Sequence, residues 1–308
     1  MFLITGILTL HAQIIPPEIV AFGDSLSDTG NKSDATNTAA ESGMGIGGVW
    51  VVQLAAMYGQ TLTQSSSGGT DYAQGGAVTS GLTNQVNSYL NKNSGSASST
   101  ALYTFSAGGN DILNNLKNNP DTVAVTAADN IESQINSLVN AGAKNFLWLN
   151  MFPINLTPDV YGNATVAEAV SAFNIEWTAD VAALRSEHPN IDLVGLDFYG
   201  FALNLGNNSA ALGFTNTTQA WNAAKASVPY SKASSNPDSD KFVFWDNLHP
   251  TTHVDQLLAE DAYNALQVPE PASWALLALG LGGGGAFSCL RRTRSKGVRW
   301  VSHEGVSP

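Results

Sequence analysis

The sequence predicts an α/β domain built on a central parallel sheet, and three observations lead to this fold class. Short runs of β-branched and aromatic residues alternate with longer stretches whose apolar residues recur at spacings of three and four. The chain has 308 residues, 44% of them hydrophobic, and is therefore long enough to bury a large core. Glycine-rich polar loops follow several of the short runs, as expected where strands end at a ligand-binding edge.

Five runs are predicted to be strands because each is short, apolar and bounded by loop residues. They are residues 19–22, 102–105, 146–150, 191–196 and 242–245. Helical periodicity predicts four helices, at residues 49–58, 122–141, 166–188 and 251–266. Three segments rich in serine, glycine and asparagine are predicted to be surface loops, at residues 65–70, 93–100 and 234–240.

Charge and cysteine content exclude several classes of function. The chain carries 13 basic and 25 acidic residues, a net charge of −12, so we expect no nucleic-acid partner. The only cysteine is Cys289, which excludes an intramolecular disulfide. It lies outside the main body, so that body offers neither a thiol nucleophile nor a cysteine-bound zinc site.

The amino-terminal segment, residues 1–12, resembles a signal peptide. Residues 2–10 are mostly apolar, and the small residue Ala12 stands where a cleavage site would follow. The positively charged stretch that normally precedes such a core is missing. A buried first strand is the alternative interpretation.

The carboxyl-terminal segment has the composition of a membrane span. Residues 272–290 carry no charge, and this uncharged segment is long enough to cross a hydrocarbon core. Arg291, Arg292 and Arg294 follow at once and predict a cytoplasmic end, with the preceding domain outside. A buried helix is the alternative, but four consecutive glycines at residues 282–285 disfavour it.

The order Pro269-Glu270-Pro271, apolar span and arginine cluster resembles a PEP-CTERM sorting signal, here at residues 268–294. The resemblance implies an exosortase-type processing enzyme as a partner, in a Gram-negative bacterium, and removal of the tail. We therefore expect an exported protein of the envelope or the extracellular space, held transiently by its carboxyl-terminal span. The tail at residues 295–308 departs from the pattern, because such signals usually stop soon after the arginines.

The first candidate for chemistry is Ser25, in Gly23-Asp24-Ser25, directly after the predicted strand at residues 19–22. This position places a hydroxyl at the carboxyl end of a strand, where open α/β sheets bind ligands. A helix amino terminus at this edge would favour negative charge that develops there. The alternative is that Asp24 or Ser25 only caps a helix.

A nucleophilic serine needs a base, and His249 is the best placed of five histidines. His11 and His303 lie in the terminal segments, and His188 precedes a proline in a turn. Asp246 stands three residues before His249, so it can bond one imidazole nitrogen and leave the other for the serine.

Two glycine-rich segments can supply donors to a developing oxyanion. Asn110 lies in Gly108-Gly109-Asn110-Asp111, after the predicted strand at residues 102–105. Gly75 and Gly76 lie in a second segment, where either backbone N–H can donate. Simple turn chemistry is the alternative for each segment.

Taken together, these four segments resemble the SGNH (GDSL) hydrolase family of esterases and lipases. The blocks are residues 23–31, Gly75, residues 108–111 and residues 246–251, within a hydrolase domain at residues 13–267. The resemblance implies a flavodoxin-like three-layer α/β/α sandwich, the SGNH hydrolase fold. It makes Ser25 the nucleophile, His249 the general base and Asp246 its orienting acid, with no cofactor and no metal.

The same resemblance assigns the oxyanion hole to Ser25, Gly75 and Asn110. Asp71 stands where the family often has an asparagine, which leaves the choice between Gly75 and Gly76 open. No G-x-S-x-G occurs, so the nucleophile elbow of α/β-hydrolases has no candidate. The expected reaction is hydrolysis of a carboxylic ester through an acyl-enzyme intermediate.

Two other functions remain open, together with the substrate. Asp246, His249 and His253 can form a metal site, since the two histidines are four residues apart. A non-enzymatic envelope or matrix protein with the same fold is the second alternative. The ester itself can be a small molecule, a lipid or an acetylated glycan. Three aromatic residues can line its binding site, namely Phe214, Trp221 and Tyr230.

Overall fold

Four parallel strands form the central sheet in the computed structural model, which describes residues 15–32, 48–221 and 238–267. The strands are β1 (Ile19–Gly23), β2 (Leu102–Ser106), β3 (Asn145–Leu149) and β4 (Asp192–Leu196), in the spatial order β1-β2-β3-β4. The register places Gly23 beside Ser106 and Leu149 beside Leu196. All four carboxyl ends therefore meet at one edge of the sheet.

Seven α-helices connect and cover these strands within the described residues. They are α1 (Trp50–Met57), α2 (Leu82–Lys92), α3 (Gly109–Asn114), α4 (Pro120–Asn140), α5 (Ala164–Glu187), α6 (Phe198–Asn207) and α7 (Thr252–Gln267). Each predicted strand and helix agrees with the structure to within one or two residues at each end. Helices α2, α3 and α6 and the strand at Asn216–Ala220 were not predicted.

Alternate side chains of the strands are buried on opposite faces of the sheet. Because helices cover both faces, the fold has three layers. Val20 and Phe22 of β1 pack in the core that α2, α4 and α5 cover. Ile19 and Ala21 pack in the core on the other face, with α1 and α7. Each fully buried large apolar side chain contributes about 1.5 to 3 kcal/mol. The predicted α/β/α class with a parallel central sheet is confirmed.

A second, two-stranded parallel sheet lies apart from the central one. It pairs β5 (Asn216–Ala220) with β6 (Phe242–Phe244). Residues 242–245, predicted to be a strand, thus contain one, but it pairs outside the central sheet. Here β6 contributes to a small separate core with side chains of α6 and α7, among them Leu205, Phe214, Val243, Phe244 and Val254.

The predicted signal peptide, the sorting signal and the carboxyl-terminal tail lie outside the described residues. Among the helices that the structure describes, none combines the length and the apolar composition that a bilayer crossing needs. The predicted loops at residues 65–70 and 93–100 lie between regular elements, as expected, and residues 234–237 of the third loop lie outside the described residues.

Candidate active site

The turn after β1 places Ser25 at the carboxyl edge of the sheet. Gly23 passes so close to β2 that a Cβ there would collide with the carbonyl of Ser106, so only glycine fits. Gln85, from α2, clamps the same residue, because its side chain accepts from the Gly23 N–H at 2.9 Å and donates to the Gly23 carbonyl at 2.8 Å. The strand end that carries Ser25 is therefore held on both sides.

Asp24 shapes the turn that follows. Its side chain accepts a hydrogen bond from the Leu26 N–H at 3.0 Å, and its carbonyl accepts from the N–H groups of Ser27 and Asp28. Burial raises the pKa of Asp24 to about 7, against the lowering effects of the Leu26 N–H and the charge of His249. This carboxyl group beside the serine therefore carries a proton far more readily than an exposed aspartate does.

A tight loop between β6 and α7 holds Asp246 and His249 in register. One carboxylate oxygen of Asp246 accepts from the backbone N–H of Leu248 at 2.8 Å and of His249 at 2.7 Å. The loop closes where the Trp245 N–H donates to the His249 carbonyl at 2.9 Å. The acid and the histidine are thus fixed by their own backbone, as the three-residue spacing predicts.

Ser25, His249 and Asp246 form one hydrogen-bonded chain. The Oγ of Ser25 lies 2.8 Å from Nε2 of His249, and Nδ1 of His249 lies 2.8 Å from Oδ2 of Asp246. An ionised carboxylate only accepts hydrogen bonds, so Nδ1 carries the proton of a neutral imidazole and Nε2 presents its lone pair to the serine. This is the geometry in which a histidine can take a proton from a serine hydroxyl.

The charge of Asp246 is kept although the residue is only 9% exposed. Burial acts to raise the pKa of this carboxyl, but the hydrogen bonds and the charge of His249, with the Leu248 N–H, outweigh it. The net result is a pKa below the ordinary value of an aspartate. Asp246 therefore stays ionised at neutral pH and can accept the hydrogen bond of His249 Nδ1 as a carboxylate.

Asn110 lies near the serine at the start of α3. The preceding Gly108 has φ of +114°, and a Cβ there would stand only 2.7 Å from a ring carbon of Phe173. Asn110 Nδ2 donates to the carbonyl of Ala77 at 3.0 Å, which uses one of its two N–H groups. The second N–H is left for another acceptor, and Asn110 lines the same pocket as Ser25.

Gly75 lies beside the serine turn, but its N–H already has an acceptor. Its N–H donates to Oδ2 of Asp28 at 2.7 Å. Within the described residues no hydrogen bond engages the N–H of Ser25 or of Gly76. The structure therefore brings Gly75 close to the serine turn but directs its N–H toward Asp28.

Two further carboxyl groups organise this edge of the sheet, and the sequence analysis gave neither of them a role. Oδ1 of Asp28 accepts from the N–H groups of Gly30 and Asn31. Asp111 accepts from both the N–H and the hydroxyl of Thr79, at 2.9 and 2.8 Å. These contacts join the serine turn to the glycine loop, and that loop to α3. The only signal for them was that both acids lie inside motif blocks.

A small pocket opens above Ser25, with an empty volume of about 290 Å³. A larger cavity of about 620 Å³, mouth included, lies next to it. The two share Leu26, Phe152 and Leu248, and Thr217 is the only polar side chain in the described lining of the larger one. The site therefore joins a polar reaction centre to an apolar chamber.

The other residues considered from the sequence lie elsewhere. His253 Nδ1 donates to the Asp240 carbonyl, 2.9 Å away, and the ring stacks on Phe214. A carbonyl only accepts, so Nδ1 carries a proton and is not available as a metal ligand in this arrangement. Phe214 and the buried Trp221 line neither cavity, and Tyr230 lies outside the described residues.

Comparisons with known proteins match the body and the tail separately. The family model of GDSL-like lipases and acylhydrolases matches residues 19–262. The model of the PEP-CTERM protein-sorting motif matches residues 267–292. The body thus falls almost entirely within one family model, and the sorting motif follows it directly.

Two bacterial proteins are among the similar sequences. Lipase 1 of Photorhabdus luminescens is 32% identical over 61% of this chain, and thermolabile hemolysin of Vibrio parahaemolyticus is 28% identical over 79%. The matches span only 30% and 62% of the lengths of these two relatives. A solved member of the lipolytic G-D-S-L family from Veillonella parvula has a TM-score of 0.47 and 17% identity, over 80% of this chain and 96% of that one.

Proposed function

We propose that this chain, which belongs to the GDSL-like lipase/acylhydrolase family, hydrolyses carboxylic esters with Ser25 as its nucleophile. The observation that carries the proposal is the hydrogen-bonded chain from Ser25 through His249 to Asp246, with 2.8 Å at each step. A free serine hydroxyl is a weak nucleophile at neutral pH, and an adjacent base is what activates it.

The proposed reaction has two halves. Ser25 Oγ attacks the ester carbonyl while His249 Nε2 takes the hydroxyl proton, and the tetrahedral intermediate collapses when His249 returns that proton to the leaving alcohol. Water then attacks the acyl-enzyme, with His249 as base again, and releases the carboxylic acid and free Ser25. Asp246 stabilises the imidazolium in both halves and is not itself protonated.

The oxyanion in this scheme accepts from the N–H of Ser25 and the second N–H of Asn110. A third donor comes from the Gly75-Gly76 pair. Gly75 can serve only if its N–H leaves Oδ2 of Asp28, where it lies at 2.7 Å, whereas the N–H of Gly76 is not engaged within the described residues. These donors matter most in the transition state, where the negative charge develops.

The apolar chamber beside the serine favours esters with an extended acyl chain over acetyl esters. Its described lining is almost wholly apolar and includes Phe198, Phe201 and Leu205. Each methylene that moves from water into such a lining gains about 0.8 kcal/mol, or about fourfold in kcat/KM when the gain is expressed in the transition state. An acetylated glycan uses none of this surface.

Two measurements test the reaction and the acyl preference separately. A fluorophosphonate probe should label the wild-type protein and not Ser25→Ala, and unlabelled wild type would overturn the serine mechanism. In a series of p-nitrophenyl esters from acetyl to dodecanoyl, kcat/KM should rise with chain length until the chamber is full. Fastest turnover of the acetyl ester, or of an acetylated glycan, would overturn the acyl preference and leave the serine mechanism standing.

The sorting motif at residues 267–292 supports export of the protein to the cell envelope. We propose that an exosortase-type enzyme removes the segment that follows Pro271. Mass spectrometry of the mature protein after trypsin digestion should then find no peptide from residues 300–308. Recovery of that peptide from envelope or secreted material would contradict removal.

A further inference from the structure

Helices α4 and α5 bring three carboxylates together, and none of the three lines either cavity described above. Asp129 lies on α4, while Glu176 and Asp180 lie one turn apart on α5. One ligand oxygen from each residue lies within 4.8 Å of the other two. Like charges this close repel strongly unless something neutralises them.

Asp180 is the most exceptional member of this cluster. It is only 7% exposed, and its Oδ2 is fully buried with no hydrogen-bond partner within the described residues. The charges of Glu132, Glu176 and Asp129 all act on this carboxyl group. A buried acceptor without a donor is rare in native proteins, and an unobserved ion is one of the usual reasons for it.

Arg185 is the only lysine or arginine on α4 or α5. Its guanidinium donates to the Leu193 carbonyl at 2.8 and 3.1 Å. The three carboxylates therefore come from two helices on which acidic residues outnumber basic ones.

We propose that Asp129, Glu176 and Asp180 bind a Ca²⁺ ion that joins α4 to α5. The ligands are all carboxylate oxygens, which hard cations prefer. Ca²⁺ accepts six to eight oxygens in flexible geometry, so three carboxylates and several waters satisfy it, whereas Mg²⁺ demands a near-ideal octahedron. Asp129 is exposed and leaves room for those waters. The family resemblance implied no metal, and the proposal does not depend on the proposed reaction.

Thermal unfolding of the full chain tests this proposal directly. After the protein is stripped with a chelator, about 10 mM CaCl₂ should raise the Tm by about 3 to 10 °C, as expected for a dissociation constant of about 10⁻⁴ to 10⁻³ M. NaCl at matched ionic strength should not reproduce the shift. MgCl₂ should raise the Tm less than CaCl₂ does.

Asp180→Asn keeps the shape of the side chain and removes the buried charge. We expect this variant to lose the response to Ca²⁺ and to have a higher Tm than wild type in chelator. Glu168→Gln is the matched control, because Glu168 is an exposed acid on α5 two turns from Glu176, and it should respond as wild type does. Should Asp180→Asn fail to fold, the exposed Asp129→Asn should still weaken Ca²⁺ binding at least tenfold.

A second readout uses Tb³⁺ in place of Ca²⁺, with excitation of tryptophan. Trp177 follows Glu176 directly on α5, so wild type should give sensitised Tb³⁺ emission that Ca²⁺ displaces, and Asp129→Asn should give much less. A wild-type Tm that CaCl₂ does not change overturns the proposal. So does an unchanged Ca²⁺ response in Asp180→Asn, or in Asp129→Asn where that variant replaces it.

Discussion

Asp24 and Asp246 lie on two loops that meet at Ser25, and their carboxyl groups behave in opposite ways. Both are buried, at 4% and 9% exposure. Asp246 accepts from the imidazole of His249 and from two backbone N–H groups, and its pKa is lowered. The Asp24 carboxyl accepts from backbone N–H groups, chiefly that of Leu26, and its pKa is raised to about 7.

The comparison shows that the hydrogen-bond donors and charges around a buried acid decide whether it stays ionised. Burial is the largest single influence on both groups and acts in the same direction on each. Only the loop before α7 supplies enough donors to reverse it. Asp246, with these donors, can therefore orient an imidazolium as a carboxylate, whereas Asp24 is best suited to remain neutral.

The largest expected effects come from substitutions in the chain of Ser25, His249 and Asp246, and among these Asp246→Asn tests the comparison of the two acids. The amide cannot hold His249 in the required tautomer, so kcat/KM on a p-nitrophenyl ester should fall on the order of 10³- to 10⁴-fold. Ser25→Ala and His249→Ala should lose at least as much, and the double variant should lose little more than either. Circular dichroism checks the fold. If Asp246→Asn kept a tenth of the wild-type activity, the ionised Asp246 would be no more important to the reaction than Asp24.

An intermediate effect is expected for Asn110→Ala. This change tests the stabilisation of negative charge on the substrate, whereas Asp246→Asn tests the orientation and charge of His249. Loss of a donor to the oxyanion should lower kcat on the order of 10²- to 10³-fold, about 2.7 to 4 kcal/mol, with little change in KM. His253→Ala is the control and should stay near wild type, since His253 bonds the Asp240 carbonyl instead. The reverse pattern, with His253→Ala inactive and Asn110→Ala normal, would favour a metal site.

The smallest expected effect is that of Asp24→Asn. The folded protein binds a proton at Asp24 up to about pH 7, whereas the unfolded chain releases it near pH 4. Stability from this group is thus complete at low pH and is lost as the pH rises from about 4 to about 7.

Urea unfolding at pH 5 and pH 8 measures this contribution. The decline in the free energy of unfolding between the two should be smaller in Asp24→Asn, by on the order of 2 kcal/mol. Activity at pH 7 should stay within about tenfold of wild type, because Asp24 donates nothing to the reacting atoms in the proposed scheme. An equal pH dependence in both proteins would mean that Asp24 is ionised, as Asp246 is.

Much of the fold could be predicted from the sequence because buried strands and long helices leave strong local patterns. The strands β1 to β4 are dense in apolar residues. In α4, α5 and α7, apolar residues recur at helical spacing over several turns. Three helices escaped prediction for local reasons. The short α3 overlaps a glycine-rich motif, α6 contains Gly200 and Gly206, and α2 is rich in asparagine.

The proximity of Ser25, His249 and Asp246 could be predicted because Asp246 and His249 lie in one short loop and Ser25 follows a recognisable strand. The direction of the Gly75 N–H could not be found in this way. It depends on a hydrogen bond from Gly75 to Asp28, residues 47 positions apart. The carboxylates of α4 and α5 escaped for the same reason, because helical spacing alone does not show that Asp129 faces Asp180.

The separation of Ser25 from His249 has a consequence for timing. The two residues are 224 positions apart in the chain. A chain that is still being synthesised therefore contains Ser25 long before it contains the loop with Asp246 and His249. The hydrogen-bonded chain from Ser25 to Asp246 cannot form until that loop has been synthesised and has packed beside the end of β1. Any fragment that ends before residue 246 has the hydroxyl and no base, so an incomplete protein cannot cleave esters by this route inside the cell that makes it.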